Sequence, residues 1–138
     1  VFSTKHRQPF LTAPFDQAIY DYLEGLCLSM DCIPLKIGGH LDHVHILCNM
    51  STKVTMAKLL EITKANSSKW AKTLHPSLDN FYWQNGYGCF SISPRAIDAV
   101  IAYIENQHAH HRNKDFKEEY RQFLKTYQIE YDERYVWD

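Results

Sequence analysis

Two apolar-alternating segments, CIPLKI at Cys32–Ile37 and HVHILC at His43–Cys48, flank a Gly38-Gly39 pair and constrain the fold most. Side chains alternate faces along a strand, so Val44, Ile46 and Cys48 share one face and His43, His45 and Leu47 the other. The short separation predicts an antiparallel pair whose first strand ends at Gly38-Gly39. A sheet built from such strands buries one face and leaves the histidine face open. Two imidazoles two residues apart on a rigid strand can grip one divalent cation. A half-exposed strand in a chain with eight histidines would look the same.

The segments on either side complete the pattern. VFSTKHR (residues 1–7) has strand composition and ends in a basic cluster. After Pro14, Phe15, Ile19, Tyr22, Leu23, Leu26 and Met30 form one apolar stripe of about four helical turns. A second helix is predicted from about Thr55 to Thr73, with Met56, Leu59, Leu60, Thr63, Ser67 and Trp70 inward and most lysines outward. Phe81–Ser93 reads as an irregular, aromatic-rich loop feeding a strand in which Phe90 and Ile92 point inward. The order is strand, helix, strand, strand, helix, strand: an α+β, ferredoxin-like β-α-β-β-α-β antiparallel sheet with both helices on one face.

A third helix follows, with Ser93 as N-cap and Pro94 at its first position. Its stripe of Ile97, Ile101, Ile104 and His108 is expected to cover part of the open sheet face, with Tyr103 and Gln107 one turn apart on its flank. The cationic run from His108 to Lys114 suits a helix C-terminus better than a second metal site. A last amphipathic helix uses Phe116, Tyr120, Phe123 and Tyr127, and the aromatic tail IEYDERYVWD is expected to dock on the body.

At 138 residues and 45% hydrophobic content, one domain spanning 1–138 is expected. The net charge of −1 excludes a bulk polycation, but Lys53, Lys58, Lys64, Lys69 and Lys72 stand against Glu61 alone between Ser51 and Leu74. A local phosphate-binding surface therefore stays open, beside the reading of these lysines as an ordinary solvated face. The four cysteines form no C-x-x-C pair, and reduced, buried thiols in a cytoplasmic protein are expected. No apolar run has the length of a membrane span, and no signal peptide is expected.

The His43-Val44-His45 strand followed by a helix carrying Tyr103-x-x-x-Gln107 resembles the small single-tyrosine HUH transposases that move insertion sequences as single-stranded DNA. The resemblance spans nearly the whole chain: VFSTKHRQPFL, IPLKIGG…DHVHIL, NSSKW, WQNGYGCFSIS, and YIENQ followed by HH. It implies Tyr103 as nucleophile and His43, His45 and Gln107 as ligands of Mg²⁺ or Mn²⁺. It also implies a homodimer that recognises hairpin-marked ends of single-stranded DNA, in a prokaryotic cytoplasm near the nucleoid and with no membrane partner.

The chemistry agrees with that assignment. Two imidazoles and a carboxamide are neutral, so a bound cation keeps its full charge for a phosphodiester's non-bridging oxygens. The tyrosine hydroxyl is a poor nucleophile until its proton is removed, and no base is evident in the sequence. Lys5, His6, Arg7, Lys64, Lys69 and Lys72 are candidate phosphate contacts, and Trp83 and Tyr87 candidate stacking platforms for unpaired bases. The competing reading is a non-catalytic or domesticated binder of hairpins and single strands, since related sheets also host RNA-binding modules. Pure binding has no use for the Tyr103, His43, His45 and Gln107 set.

Overall fold

The computed structural model describes residues 1–137; Asp138, the end of the expected tail, lies outside the described residues. A three-stranded antiparallel sheet in the order β1-β3-β2 is formed by β1 (Phe2–Ser3), β2 (Ile33–His40) and β3 (His43–Asn49). Among the described residues five α-helices accompany it: α1 (Phe15–Ser29), α2 (Met56–Ala71), α3 (Ile97–Glu105), α4 (Gln107–His110) and α5 (Phe116–Thr126).

Val44 is fully buried with Phe2, Ile19, Leu23, Ala71 and Phe81, and Ile46 packs against the same cluster, so this face of β3 meets α1 and α2. Thr55 caps α2, its hydroxyl accepting from the Lys58 amide at 3.1 Å and satisfying one free N–H of the first turn. The opposite face of β3 carries His43 and His45 beneath α3, α4 and α5. Cys27 and Cys32 are buried as expected, whereas Cys48 is half-buried and Cys89 exposed.

The hairpin departs from its expected boundary. β2 runs through Gly38 and Gly39 to His40, which pairs with His43, leaving Leu41-Asp42 as the turn. Both glycines are there for close approach. A Cβ on Gly39 would lie 2.1 Å from the His43 carbonyl oxygen, and one on Gly38 would lie 2.9 Å from Cγ2 of Ile104 on α3.

The expected fourth strand is not regular among the described residues, so the ferredoxin-like order is not reproduced as a complete ladder. The 81–89 segment instead follows the outer edge of β1 through a Thr4–Trp83 bridge and separate hydrogen bonds. Lys5 N–H donates to the Tyr82 carbonyl at 2.7 Å, Gln84 N–H to Ser3 at 2.9 Å, and Gly88 N–H to Val1 at 2.8 Å. The two glycines of the segment weaken continuous pairing. The first strand is likewise shorter than expected: Lys5–Arg7 form a 3₁₀ turn, with His6 and Arg7 at φ near +55°.

Among the described tail residues, Val136 and Trp137 pack on the Phe116, Tyr120 and Leu124 face of α5. Tyr131 and Tyr135 stay 44% and 64% exposed, against expectation. Trp137 stacks under Lys117 and Arg121 cations, which fastens the tail through one aromatic rather than three.

Candidate metal centre beside a tyrosine

Gln107 owes its position to a break in the helix. Asn106 leaves the α-region (φ −96°, ψ 18°) between α3 and α4, and the chain turns so that Gln107 points into the sheet face. It is 1% exposed rather than on the flank, while His108, expected in the apolar stripe, is exposed and faces His40 across 2.6 Å. The inward positions here are Ile104, Gln107 and His111.

His43 is anchored on both ring nitrogens. Its Nδ1 lies 2.8 Å from Asp42 Oδ1 and its Nε2 2.9 Å from Gln107 Oε1. Burial lowers its basicity, but hydrogen bonds to Asp42 and Glu119 outweigh burial and carry the imidazole up to about 9. Asp42 thereby fixes the ring's orientation, as a carboxylate behind a metal-binding histidine does. His45 sits on the same face with its Nε2 3.1 Å from Glu119 Oε1. Burial dominates there and lowers it to about 4, leaving a neutral imidazole.

Glu119 was not anticipated. It lies on α5 among Phe116, Tyr120 and Leu124, is 2% exposed, and sits at the centre of the site. Its Oε1 contacts His45 and, at 3.3 Å, His43. Its Oε2 lies 3.2 Å from His111 Nε2, 3.4 Å from His110 Nε2 and 3.3 Å from the Gln107 amide nitrogen. Burial raises a carboxyl, but hydrogen bonds from His111, His43 and His45 hold this one ionised, well below the usual carboxylate range. Its sequence signal was available: Glu119 falls three residues after Phe116 and four before Phe123, inside the apolar stripe. An isolated carboxylate there would be costly to bury.

The Tyr103 hydroxyl donates to Glu119 Oε2 and lies 3.2 Å from His110 Nε2. Burial, and then the adjacent carboxylate, push the phenol above its ordinary range, so the hydroxyl is held protonated. The structure therefore brings Tyr103, His43, His45 and Gln107 together. The nitrogen and oxygen donors of His43, His45 and Glu119 lie within 4.8 Å of one another. Two imidazoles, a carboxylate and a neighbouring carboxamide oxygen fit a divalent cation, the carboxylate being an addition to the expected neutral set.

The candidate DNA contacts fare differently. Trp83 is 6% exposed, edge-on to Phe2 and Phe81, with its indole N–H donating to Ser67 Oγ at 2.8 Å; it is a core residue and presents no face to a base. Lys64 is turned inward, donating to the Asn85 and Gly86 carbonyls at 3.1 and 2.8 Å, and burial lowers its ammonium to about 8. Lys72 donates to Ser68 and the Phe81 carbonyl, under the exposed Tyr82 ring. Lys69 and His6 are exposed and Lys5 and Arg7 half-buried, so these remain accessible, as does Tyr87 at 38% exposure.

Paired strand histidines facing a carboxylate, a carboxamide and a tyrosine hydroxyl define a candidate metal centre of the histidine–hydrophobic–histidine kind. The chain belongs to the IS200-like transposase family, whose profile matches residues 1–107. That match includes His43, His45, Tyr103 and Gln107 and stops short of His110, His111 and Glu119. The fold is similar to a crystal structure of a presumed transposase from Deinococcus radiodurans R1. That similarity has a TM-score of 0.61 at 19% identity, over 77% of this chain and 85% of that one. No curated protein sequence matches the chain. Among the described residues no helix is long and apolar enough to cross a membrane.

Proposed function

We propose that this chain, acting as one domain across residues 1–138, cleaves and rejoins single-stranded DNA at hairpin-marked element ends. Cleavage proceeds by transesterification through Tyr103, and the chain works as a homodimer. One observation carries the reading: the Tyr103 hydroxyl donates to the same buried carboxylate that both strand histidines contact. Family membership supports it.

His43, His45 and Gln107, together with Glu119, would hold Mg²⁺ or Mn²⁺. A bound divalent ion supplies positive charge to the non-bridging oxygens of the scissile phosphate. Glu119 Oε2 orients the Tyr103 hydroxyl, and Asp42 orients His43. Attack forms a bond from Tyr103 Oη to phosphorus and breaks the bond to the 3′ oxygen. The phenolic proton ends on that 3′ oxygen by way of water. The products are a 5′-phosphotyrosine and a free 3′-hydroxyl. That ester conserves the bond energy, so a later 3′-hydroxyl rejoins strands without ATP. Lys5, Arg7 and Lys69 remain as accessible phosphate contacts on the DNA path.

The test uses 3′-labelled single strands carrying the hairpins that flank the gene, incubated with Mn²⁺ or Mg²⁺ and run on a denaturing protein gel. A metal-dependent adduct in the wild type, absent in Tyr103→Phe, is expected. Hairpin binding without adduct or nick in either metal would replace this reading with that of a binding protein.

A further inference from the structure

The centre holds more donors than one ion uses. Four imidazoles surround three side-chain oxygens. Gln107 Oε1 lies 2.9 Å from His43 Nε2 and 3.0 Å from His111 Nε2. The Glu119 carboxylate turns Oε1 to His43 and His45 and Oε2 to His110 and His111. The second pair was expected to serve only as positive charge at a helix end. α4 and its C-cap instead bring both rings to Glu119: the His111 side chain is 2% exposed and the His110 side chain 29% exposed.

We propose that His110, His111 and Glu119 form a second divalent-cation site, sharing the Glu119 carboxylate with the first and lying against the Tyr103 hydroxyl. Four distances support it. The ring nitrogens of His111 and His110 lie 3.2 and 3.4 Å from Glu119 Oε2, and Tyr103 Oη lies 3.2 Å from His110 Nε2. The three protein donors fall within 4.8 Å of one another. Donors bound about 2.1 Å from one tetrahedral ion stand roughly 3.4 Å apart, so little rearrangement is needed to close on a cation. Paired ions at about 3.5–4 Å that share a carboxylate are a recurrent arrangement where phosphoryl groups are transferred.

Two imidazoles and one carboxylate suit Mn²⁺ or Zn²⁺, whereas Mg²⁺ prefers oxygen ligands and retained water. The second ion would sit beside Oη, at the Oε2 side of the Glu119 carboxylate, whose Oε1 faces the His43–His45 pair. That placement would draw charge from the oxygen that attacks. The role in attack rests on the transferase reading; the existence of the site does not.

The experiment is a metal count. Protein stripped with chelator is titrated with Mn²⁺, free ion is read by electron paramagnetic resonance, and frozen samples are inspected for coupling between ions. Two Mn²⁺ per wild-type chain with a coupled signal are expected. One uncoupled ion is expected in His110→Ala/His111→Ala. Should the double variant lose its fold by circular dichroism, His110→Ala alone serves, with a loss of at least about tenfold in the second affinity. One Mn²⁺ per wild-type chain, or two that survive these substitutions, would overturn the site and leave a hydrogen-bonded network only. The adduct assay separates the two readings. Adduct formation with a single ion defeats the second site alone, and two ions without adduct defeat the transferase alone.

Discussion

Gly38 ties the geometry of the centre to one missing methyl group. It pairs with His45 across the hairpin and lies directly under α3, the helix that carries Tyr103. A Cβ at this position would stand 2.9 Å from Ile104 Cγ2 and 3.4 Å from the Ile104 carbonyl oxygen. Carbon atoms in good contact are about 3.5–4.0 Å apart, so Gly38→Ala must push Ile104 and its helix outward by roughly 0.6–1 Å. Overpacking of this kind costs about 1–3 kcal/mol. For a chain of this size that lowers Tm by about 4 °C per kcal/mol. The displacement moves Tyr103 relative to a histidine pair that stays on the sheet. A misplacement near 1 Å costs about a hundredfold in rate.

Gly38→Ala is therefore expected to slow formation of the Tyr103–DNA adduct by about 10- to 100-fold, with hairpin affinity unchanged. Ile104→Leu removes the β-branched methyl while keeping apolar volume, so Gly38→Ala/Ile104→Leu should recover much of both losses. Thermal melts and single-turnover adduct kinetics of the four proteins complete a double-mutant cycle. Additive effects, or a Gly38→Ala protein with wild-type Tm and rate, would refute the claim that this contact sets the position of the helix.

Other expectations concern pH, loop anchoring and the core. In metal-free protein, His43 is raised to about 9 from an unfolded value near ~6.5, so its stabilisation is complete below ~6.5 and lost as pH rises through about 9. His45 is lowered to about 4, so its stabilisation is complete above ~6.5 and lost as pH falls towards about 4. Glu119, depressed, is lost on the same acid side. Melts in chelator should peak near pH ~6.5 and fall by on the order of 3 kcal/mol on each side, with Asp42→Asn flattening the alkaline arm. A profile level from pH ~6.5 to 9 would contradict the His43 assignment. Lys64→Met should cost about 1–3 kcal/mol by releasing the Asn85 and Gly86 carbonyls, measured by urea unfolding. Lys69→Ala, exposed, should leave stability within about 0.5 kcal/mol but reduce the salt slope of single-strand binding by roughly one. Trp83→Ala should destabilise by about 3–5 kcal/mol; weakened DNA binding at unchanged stability would return that ring to the interface.

Local chemistry settled what the sequence alone determines here. Period-two alternation puts His43 and His45 on one face and Val44 on the other, whatever lies around them. The apolar stripes of α1 and α2 follow from the 3.6-residue period, and the Tyr103–Gln107 spacing follows from one helical turn. Tertiary structure decided the rest. The direction of Gln107 depends on the break at Asn106, and that of Lys64 on two carbonyls more than twenty residues away. Phe81–Cys89 has strand composition, with Phe81 and Trp83 buried and Tyr82 between them exposed, but its pairing with β1 is intermittent, and Gly86 and Gly88 lie in the segment. Glu119 shows the division most sharply. Its place in an apolar stripe marks it as unusual in sequence. Only the docking of α5 over β3 brings the four histidines and the tyrosine that make a buried carboxylate tolerable.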